Sequence, residues 1–254
     1  MSETPRLPPF YHLIVHDVVG STNDVARDLA GQGAADGTMV WAQRQTAGRG
    51  RLGRRFASPP GNLYVSVVLR PAVAPAAAPQ LSFIAAVALA EAARAVLPAR
   101  AVVSVKWPND VLVDGRKVAG ILLEAATTPA GALDFVVVGI GVNVTSHPPN
   151  TAYGATDLAV AGAAVSVPGL LARLAEALLA WRDRWLADGF GPVRAAWLAD
   201  ARGLGGPIDV RLGDTLISGR FADLDADGAL IVESIGGARQ RVTAGDVVEA
   251  ALQA

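Results

Sequence analysis

Residues 106–124 read KWPNDVLVDGRKVAGILLE, a stretch that predicts a polar turn followed by a tight hairpin. Pro108 interrupts the strand predicted for residues 101–106, because proline has no amide proton to give to a sheet. Asp114 and Gly115 then supply the two-residue turn that antiparallel strands favour. The strand that follows is apolar, which is typical of a strand buried inside a domain.

Three polar residues of this stretch are candidates for chemistry. Asn109 and Asp110 lie at a strand end, where a carboxylate can hold Mg²⁺ and an amide can bind a base or a phosphate. A plain polar turn explains the same pair. Lys117 enters the apolar strand, and a buried ammonium group needs an anionic partner unless its side chain extends to water. The residues alone leave these alternatives open.

Outward from the hairpin, the pattern predicts alternating strands and helices. Ser21 fits a helix N-cap, and residues 202–207 (RGLGGP) resemble a linker that precedes short strands broken by Gly-Asp and Asp-Gly pairs. We therefore predict an α+β domain over residues 1–203 and a small β domain over residues 204–254. Strands are expected at 11–19, 38–43, 62–69, 101–106 and 133–144, and helices at about 22–33, 79–97, 170–185 and 190–200.

Composition narrows the function classes. The chain has 254 residues, 52% of them hydrophobic and 18% charged, with a net charge of −1 and no cysteine. This balance is typical of a folded globular protein and argues against binding nucleic acid or membranes through bulk charge. The N-terminus lacks the apolar segment of a signal peptide, and the apolar runs, such as residues 83–90, look too short to span a bilayer. We expect a soluble cytoplasmic protein.

Residues 48–55 (GRGRLGRR) form the second unusual stretch. Between Asp36 and Glu91 the chain has six arginines and no carboxylate, which predicts a local positive field. An exposed basic loop and a nucleic-acid groove are alternatives, but arginines concentrated in one glycine-rich loop favour an enclosed anionic ligand. The G-x-G-x-x-G spacing does not indicate a dinucleotide site, since a Pro-Pro turn and a strand follow. A P-loop would need lysine and then serine or threonine where Arg54 and Arg55 stand.

Four stretches together resemble the biotin protein ligases. They are STN (21–23), QTAGRGRLGR (45–54), KWPNDV with RKVAGILLE (106–124), and GIGVN (139–143), in the order and spacing of that family. The resemblance covers residues of about 15 to 250. It implies a mixed β-sheet flanked by helices, followed by a small C-terminal SH3-like β-barrel domain.

The resemblance implies a two-step reaction. ATP and biotin, with Mg²⁺, give biotinyl-5′-AMP, and the biotin then passes to a lysine of a carboxylase's biotin carboxyl carrier domain. The implied catalytic residues are Lys117, Arg51 and Asp110, with Asp110 also holding the metal. The implied biotin-binding residues are Ser21, Thr22, Asn23, Gln45, Gly48, Arg49, Gly50, Arg51, Lys117 and Gly120. The implied ATP-binding residues are Arg49, Arg51, Arg54, Trp107, Asn109, Asp110, Lys117 and Asn143.

The resemblance carries further expectations. Residues 48–55 should be mobile without ligand and should order over biotin and ATP. Barely ten residues precede the first predicted strand, so we expect a ligase without the DNA-binding domain of some relatives. The rival interpretations are a lipoate ligase or octanoyltransferase of the same fold, a nucleic-acid-binding module that uses the basic loop, and a catalytically inactive biotin sensor.

Overall fold

The computed structural model describes residues 5–149, 151 and 154–248, and its larger sheet confirms the predicted mixed topology. The sheet has seven strands in the order β1-β2-β3-β7-β6-β5-β4. The β1–β2 pair is parallel and all its other neighbouring pairs are antiparallel. The strands are β1 (His12–Val19), β2 (Thr38–Gln45), β3 (Leu63–Leu69), β4 (Val103–Lys106), β5 (Asp110–Val113), β6 (Arg116–Thr127) and β7 (Leu133–Val142).

The hairpin predicted from residues 110–124 is the β5–β6 pair. Asp114 and Gly115 both have positive φ, at 49° and 77°, as a tight two-residue hairpin turn requires. The pairing slips between Val111 and Leu112, so that Leu112 lies opposite Lys117 and Asp110 lies opposite Gly120. This register brings the Asp110 carboxylate and the Lys117 ammonium together at one end of the sheet.

Helices cover both faces of this sheet, as predicted. They are α1 (Thr22–Gly31), α2 (Gln80–Arg94), α3 (Val167–Asp188) and α4 (Gly191–Ala199). Helix α1 buries Ala26 and Ala30 against one face, and the other three helices form the larger core on the opposite face. Ser21 has the extended backbone of an N-cap, but its side chain makes no capping hydrogen bond. The N-cap position was therefore predicted correctly, while the capping bond is missing.

Helix α2 corrects one expectation from the sequence. Together with the 3-10 turn Pro75–Ala77 before it, this helix forms a stretch, Pro75–Arg94, that is by length and composition long and apolar enough to cross a membrane, contrary to the expectation that every apolar run is too short. In the fold, 72% of its most apolar window is buried inside the protein. The core helix of a globular domain passes the same test of length and composition.

A second, five-stranded antiparallel sheet follows, in the order β11-β10-β9-β8-β12, which fits the predicted small β domain. Its strands are β8 (Pro207–Leu212), β9 (Thr215–Leu224), β10 (Leu230–Glu233), β11 (Arg239–Val242) and β12 (Asp246–Val248). Phe221 of β9 packs against Trp197 of α4. The buried indole N–H of Trp107 donates to the carbonyl of Gly228 at 3.3 Å. These contacts hold the small sheet beside the polar turn at residues 107–110.

Candidate active site

A cavity of about 430 Å³ collects most of the predicted site residues. It lies where five parts of the chain meet. These are the start of α1, the end of β2, the arginine loop (residues 48–55), the β5–β6 hairpin and the end of β7. Of the predicted residues, Gly48 and Trp107 do not line it, and all the others do. Gly48 instead lies against Phe56 and Ser58, and Trp107 lines an adjoining cleft of about 340 Å³ between the two sheets.

One end of the cavity is a buried polar network. Gln45 Oε1 accepts from the Thr22 amide at 2.8 Å and from the Thr22 hydroxyl at 3.1 Å. The Ser66 hydroxyl lies 2.8 Å from Thr22 Oγ1 and 2.6 Å from Asn23 Oδ1. These groups are paired with one another in the protein, and their remaining donor and acceptor capacity suits a ligand that is itself both donor and acceptor.

The floor of the cavity is made of glycines on one face of the β6–β7 pair. Gly120 lies opposite Gly141, and Leu122 lies opposite Gly139. A Cβ added at Gly141 would come within 2.6 Å of the Phe56 ring. The missing side chain at Gly141 therefore leaves room for the Phe56 ring, which forms part of the apolar wall of a slot along this face.

The hairpin places Lys117 at the mouth of the slot. Its Nζ donates to Asp110 Oδ1 at 2.5 Å, and the two side chains are 35% and 19% exposed. Its backbone is fixed on both sides, because Lys117 N donates to the Gly154 carbonyl and Lys117 O accepts from Thr156. The anionic partner that a lysine in a buried strand requires is therefore Asp110.

Two arginines of the loop face the same mouth and also contact the small β domain. Arg51 donates to Asn109 Oδ1 at 3.2 Å and to the Gly245 carbonyl at 3.1 Å. Burial lowers the pKa of the Arg51 guanidinium from its ordinary value, although the nearby Asp110 carboxylate opposes this effect. Arg54 forms an ion pair with Asp246. A partly desolvated guanidinium is well suited to receive a carboxylate or a phosphate.

The third loop arginine is engaged differently. Arg49 Nη2 donates to Asp24 at 2.6 Å and to Glu124 at 3.1 Å, and Arg27 pairs with the same two carboxylates, so two arginines and two carboxylates balance one another. The amides of Asn109 and Asn143 donate to the carbonyls of Ile121 and Thr156, which fixes both side chains beside the cavity.

Several residues of the site were not predicted from the sequence. Ser58, which accepts from Gln45 Nε2 at 3.0 Å, and Ser66 complete the polar network. Glu124 is the last residue of the RKVAGILLE stretch, and the resemblance implies no role for it. No motif in the sequence points to Asp246. This residue belongs to β12, far along the chain, and contacts the arginine loop only in the folded protein.

The comparisons with known proteins agree with this geometry. Residues 15–143 match the biotin/lipoate A/B protein ligase family, and residues 203–248 match the biotin protein ligase C-terminal domain. A biotin–[acetyl-CoA-carboxylase] ligase of Paracoccus denitrificans is 43% identical over 233 residues, covering 89% of this chain and 96% of that protein. The bifunctional ligase/repressor BirA of Bacillus subtilis is 34% identical over 88% of this chain and 70% of its own length.

Solved structures show the same fold. Biotin protein ligase from Aquifex aeolicus, in complex with biotin and ATP, matches with a TM-score of 0.78 and 28% identity, covering 94% of this chain and 98% of that one. The Leishmania major enzyme in complex with biotinyl-5-AMP matches with a TM-score of 0.64 and 26% identity, covering 93% of this chain and all of that one. On the family models, the relatives and the shared fold together, this chain belongs to the biotin protein ligase family.

Proposed function

We propose that this protein is an ATP-dependent ligase that adenylates biotin and transfers it to a lysine of a carboxylase's biotin carboxyl carrier domain. The observation that carries the proposal is the convergence of Lys117, Arg51 and Arg54 at the mouth of a slot whose far end is a buried polar network. The named ligase relatives and the biotin and ATP complexes of similar structures support it.

The slot favours biotin over the lipoyl or octanoyl groups of the alternative reaction. A fused ring with N–H and C=O groups can satisfy the polar end formed by Ser21, Thr22, Asn23 and Gln45. A ring or chain without such groups would displace water from this polar end and give no hydrogen bond in return. The glycine floor accepts an apolar tail, which points its carboxylate toward Lys117.

The cations at the mouth address the central difficulty of the reaction. A carboxylate must attack the α-phosphate of ATP, so two anions approach each other and negative charge builds up at the phosphorus. Lys117 and Arg51 stabilise this charge from fixed positions, and removing one such contact typically costs about 2.7–4 kcal/mol. Asp110, bonded to Lys117 Nζ, keeps the ammonium on the cavity side of the hairpin.

The residues that line the cavity supply a small number of oxygen ligands for Mg²⁺. The described residues contain no cluster of three or more histidine, cysteine or acidic side chains that could cage a metal. Mg²⁺ is often held by one or two carboxylates together with substrate phosphates. Asp110 would supply that carboxylate, with Asn109 beside it, and the ion would neutralise phosphate charge.

The remaining parts of the proposal concern the rest of the chain. The division at residues 203 and 204 separates a catalytic domain from a C-terminal domain that contributes Asp246 to the site. Residues 48–55 close over the substrates and exclude water from the anhydride. Asn143 lies near the nucleotide. We place the enzyme in the cytoplasm, where carboxylases and ATP are available.

The test is ATP–pyrophosphate exchange by the purified protein with biotin, lipoate, octanoate or no acid. We expect exchange with biotin alone, and its loss in Lys117→Ala. Arg173→Gln, which removes an exposed charge on α3, is the matched control and should exchange normally. Exchange with lipoate instead would assign the protein to the sister reaction, and no exchange with any acid would refute adenylation. Transfer is then followed as labelled biotin on a purified carrier domain.

A further inference from the structure

Glu124 occupies a position to which the reaction gives no role. It lies on the same face of β6 as Gly120 and Leu122, one step beyond the cavity floor, and pairs with Val137 in the centre of the sheet. Its side chain is 24% exposed. A carboxylate on the long β6–β7 ladder is a fixed point, against which loop segments of the site can be held.

Two parts of the site are tied to this carboxylate. Glu124 Oε2 accepts from Asn23 Nδ2 at 2.8 Å, at the start of α1. Both Glu124 oxygens lie 3.1 Å from Arg49 Nη2, in the arginine loop. Asp24 shares the Arg49 contact. Glu124 therefore joins three segments that are distant in sequence.

The charges around the loop divide its arginines into two groups. Arg49 shares the carboxylates of Asp24 and Glu124 with Arg27, so this balanced cluster adds little net field to the cavity. Arg51 is held mainly by the neutral oxygens of Asn109 and Gly245, with Asp246 at 3.6 Å, and so keeps more capacity for an incoming anion. Arg49 is thus placed to anchor the loop, and Arg51 to receive the ligand.

We propose that Glu124 is a positioning residue, which anchors the arginine loop through Arg49 and orients the Asn23 amide at the polar end of the slot. This inference rests on the proposed ligase function. Without the anchor, substrates must supply the free energy that orders the loop. The cost then appears in KM for biotin and ATP, while kcat at saturation is preserved.

Glu124→Gln separates this role from simple structural support. Glutamine retains an oxygen that can accept from Asn23, but it has no charge to hold Arg49. We expect KM for biotin and for ATP to rise about fivefold in pyrophosphate exchange, as for loss of a partly exposed ion pair, with kcat within about twofold. A misfolded fraction would instead lower kcat and leave KM unchanged. Glu176→Gln, on the exposed face of α3, is the matched control.

A second readout does not depend on activity. Trypsin cleaves after arginine, so its cleavage of the ligand-free protein within residues 48–55 reports how firmly the loop is held. We expect faster loop cleavage in Glu124→Gln than in the wild type or the Glu176→Gln control. If the wild type fails to exchange with any acid, the ligase proposal falls, but this assay still decides whether Glu124 anchors the loop.

A double-mutant cycle tests the route through Arg49. If Glu124 acts through Arg49, Glu124→Gln should add nothing to the KM increase, or to the cleavage after Arg51, Arg54 and Arg55, already caused by Arg49→Gln. Additive effects in the double variant would overturn the proposed route. Unchanged KM and unchanged loop cleavage in Glu124→Gln alone would overturn the anchor itself.

Discussion

Gly139 lies under the polar end of the slot, in the middle of β7, and its substitution by alanine tests the packing argument directly. A Cβ at this position would lie 2.0 Å from Asn23 Oδ1 and 2.8 Å from Asn23 Cγ. Such distances are far inside van der Waals contact. Asn23 is 4% exposed and is held by Ser66 and Glu124, so its side chain can move only by breaking these bonds.

The expected cost has two parts. Overfilling a packed site costs about 1–3 kcal/mol. Losing the hydrogen bonds of Asn23 to Ser66 and Glu124 adds about 0.5–1.5 kcal/mol for each bond. Alanine also has fewer backbone conformations than glycine in the unfolded chain, and this difference offsets a fraction of the loss of stability. A net loss of about 3 kcal/mol corresponds to a Tm decrease of about 6–12 °C for a chain of this length.

Calorimetry with and without biotin measures the loss of stability. Titration of biotin binding measures the effect on the polar end of the slot. Gly139→Ala should melt earlier and bind biotin more weakly, because the displaced Asn23 disturbs the polar end of the slot. Gly31→Ala, at the end of α1 with open space around it, is the control and should not lower Tm.

The decisive comparison uses a background in which Asn23 is shortened. In Asn23→Ala the obstructing amide is gone, so adding Gly139→Ala should cost much less than in the wild type. An equal cost in both backgrounds would show that the clash with Asn23 is not the cause. A Gly139→Ala protein with wild-type Tm and biotin affinity would refute the reasoning altogether.

Three further predictions follow from single contacts. Burial raises the pKa of the Tyr64 hydroxyl from 10.0 to about 12, so stability should fall as pH rises from about 10 to 12, and Tyr64→Phe should flatten this part of the pH–Tm profile. Gly141→Ala should push the Phe56 ring aside and weaken biotin binding about tenfold in calorimetric titration, while ATP binding changes little. Trp107→Phe leaves the Gly228 carbonyl without its buried donor, so Tm should fall by about 2–4 °C, whereas unchanged Tm would show that this bond does not stabilise the domain contact.

The parts of the fold that follow from local chemistry could be predicted from the sequence. The Asp114-Gly115 turn needs two positive φ angles, which these residues tolerate, and the hairpin follows directly. The apolar composition of residues 133–144 is typical of a strand buried on both faces, and β7 is buried along most of its length. Ser21 stands at the predicted N-cap, but its side chain is buried at the cavity and makes no capping bond, which the local pattern could not predict.

The contacts between distant segments could not be predicted in the same way. Trp107 was expected at the nucleotide because it belongs to the KWPND motif, yet its N–H is bonded to the second sheet. Its predicted ATP contact, like those of the other site residues, stays a prediction. Asp246 reaches the arginine loop only because the second sheet docks beside residues 107–110. Local patterns carry no information about where a separate domain will come to lie.

The distribution of acidic residues connects these observations. Residues 37–90 contain no carboxylate, so the arginine loop cannot neutralise itself with near neighbours in sequence. Its counter-charges come instead from α1, β6 and β12, through Asp24, Glu124 and Asp246. A carboxylate within the loop would move with the arginines and compete with substrate in every conformation. Carboxylates on separate elements compensate the charge only when the loop lies against them, so ordering of the loop and binding of an anion become coupled through the same guanidinium groups.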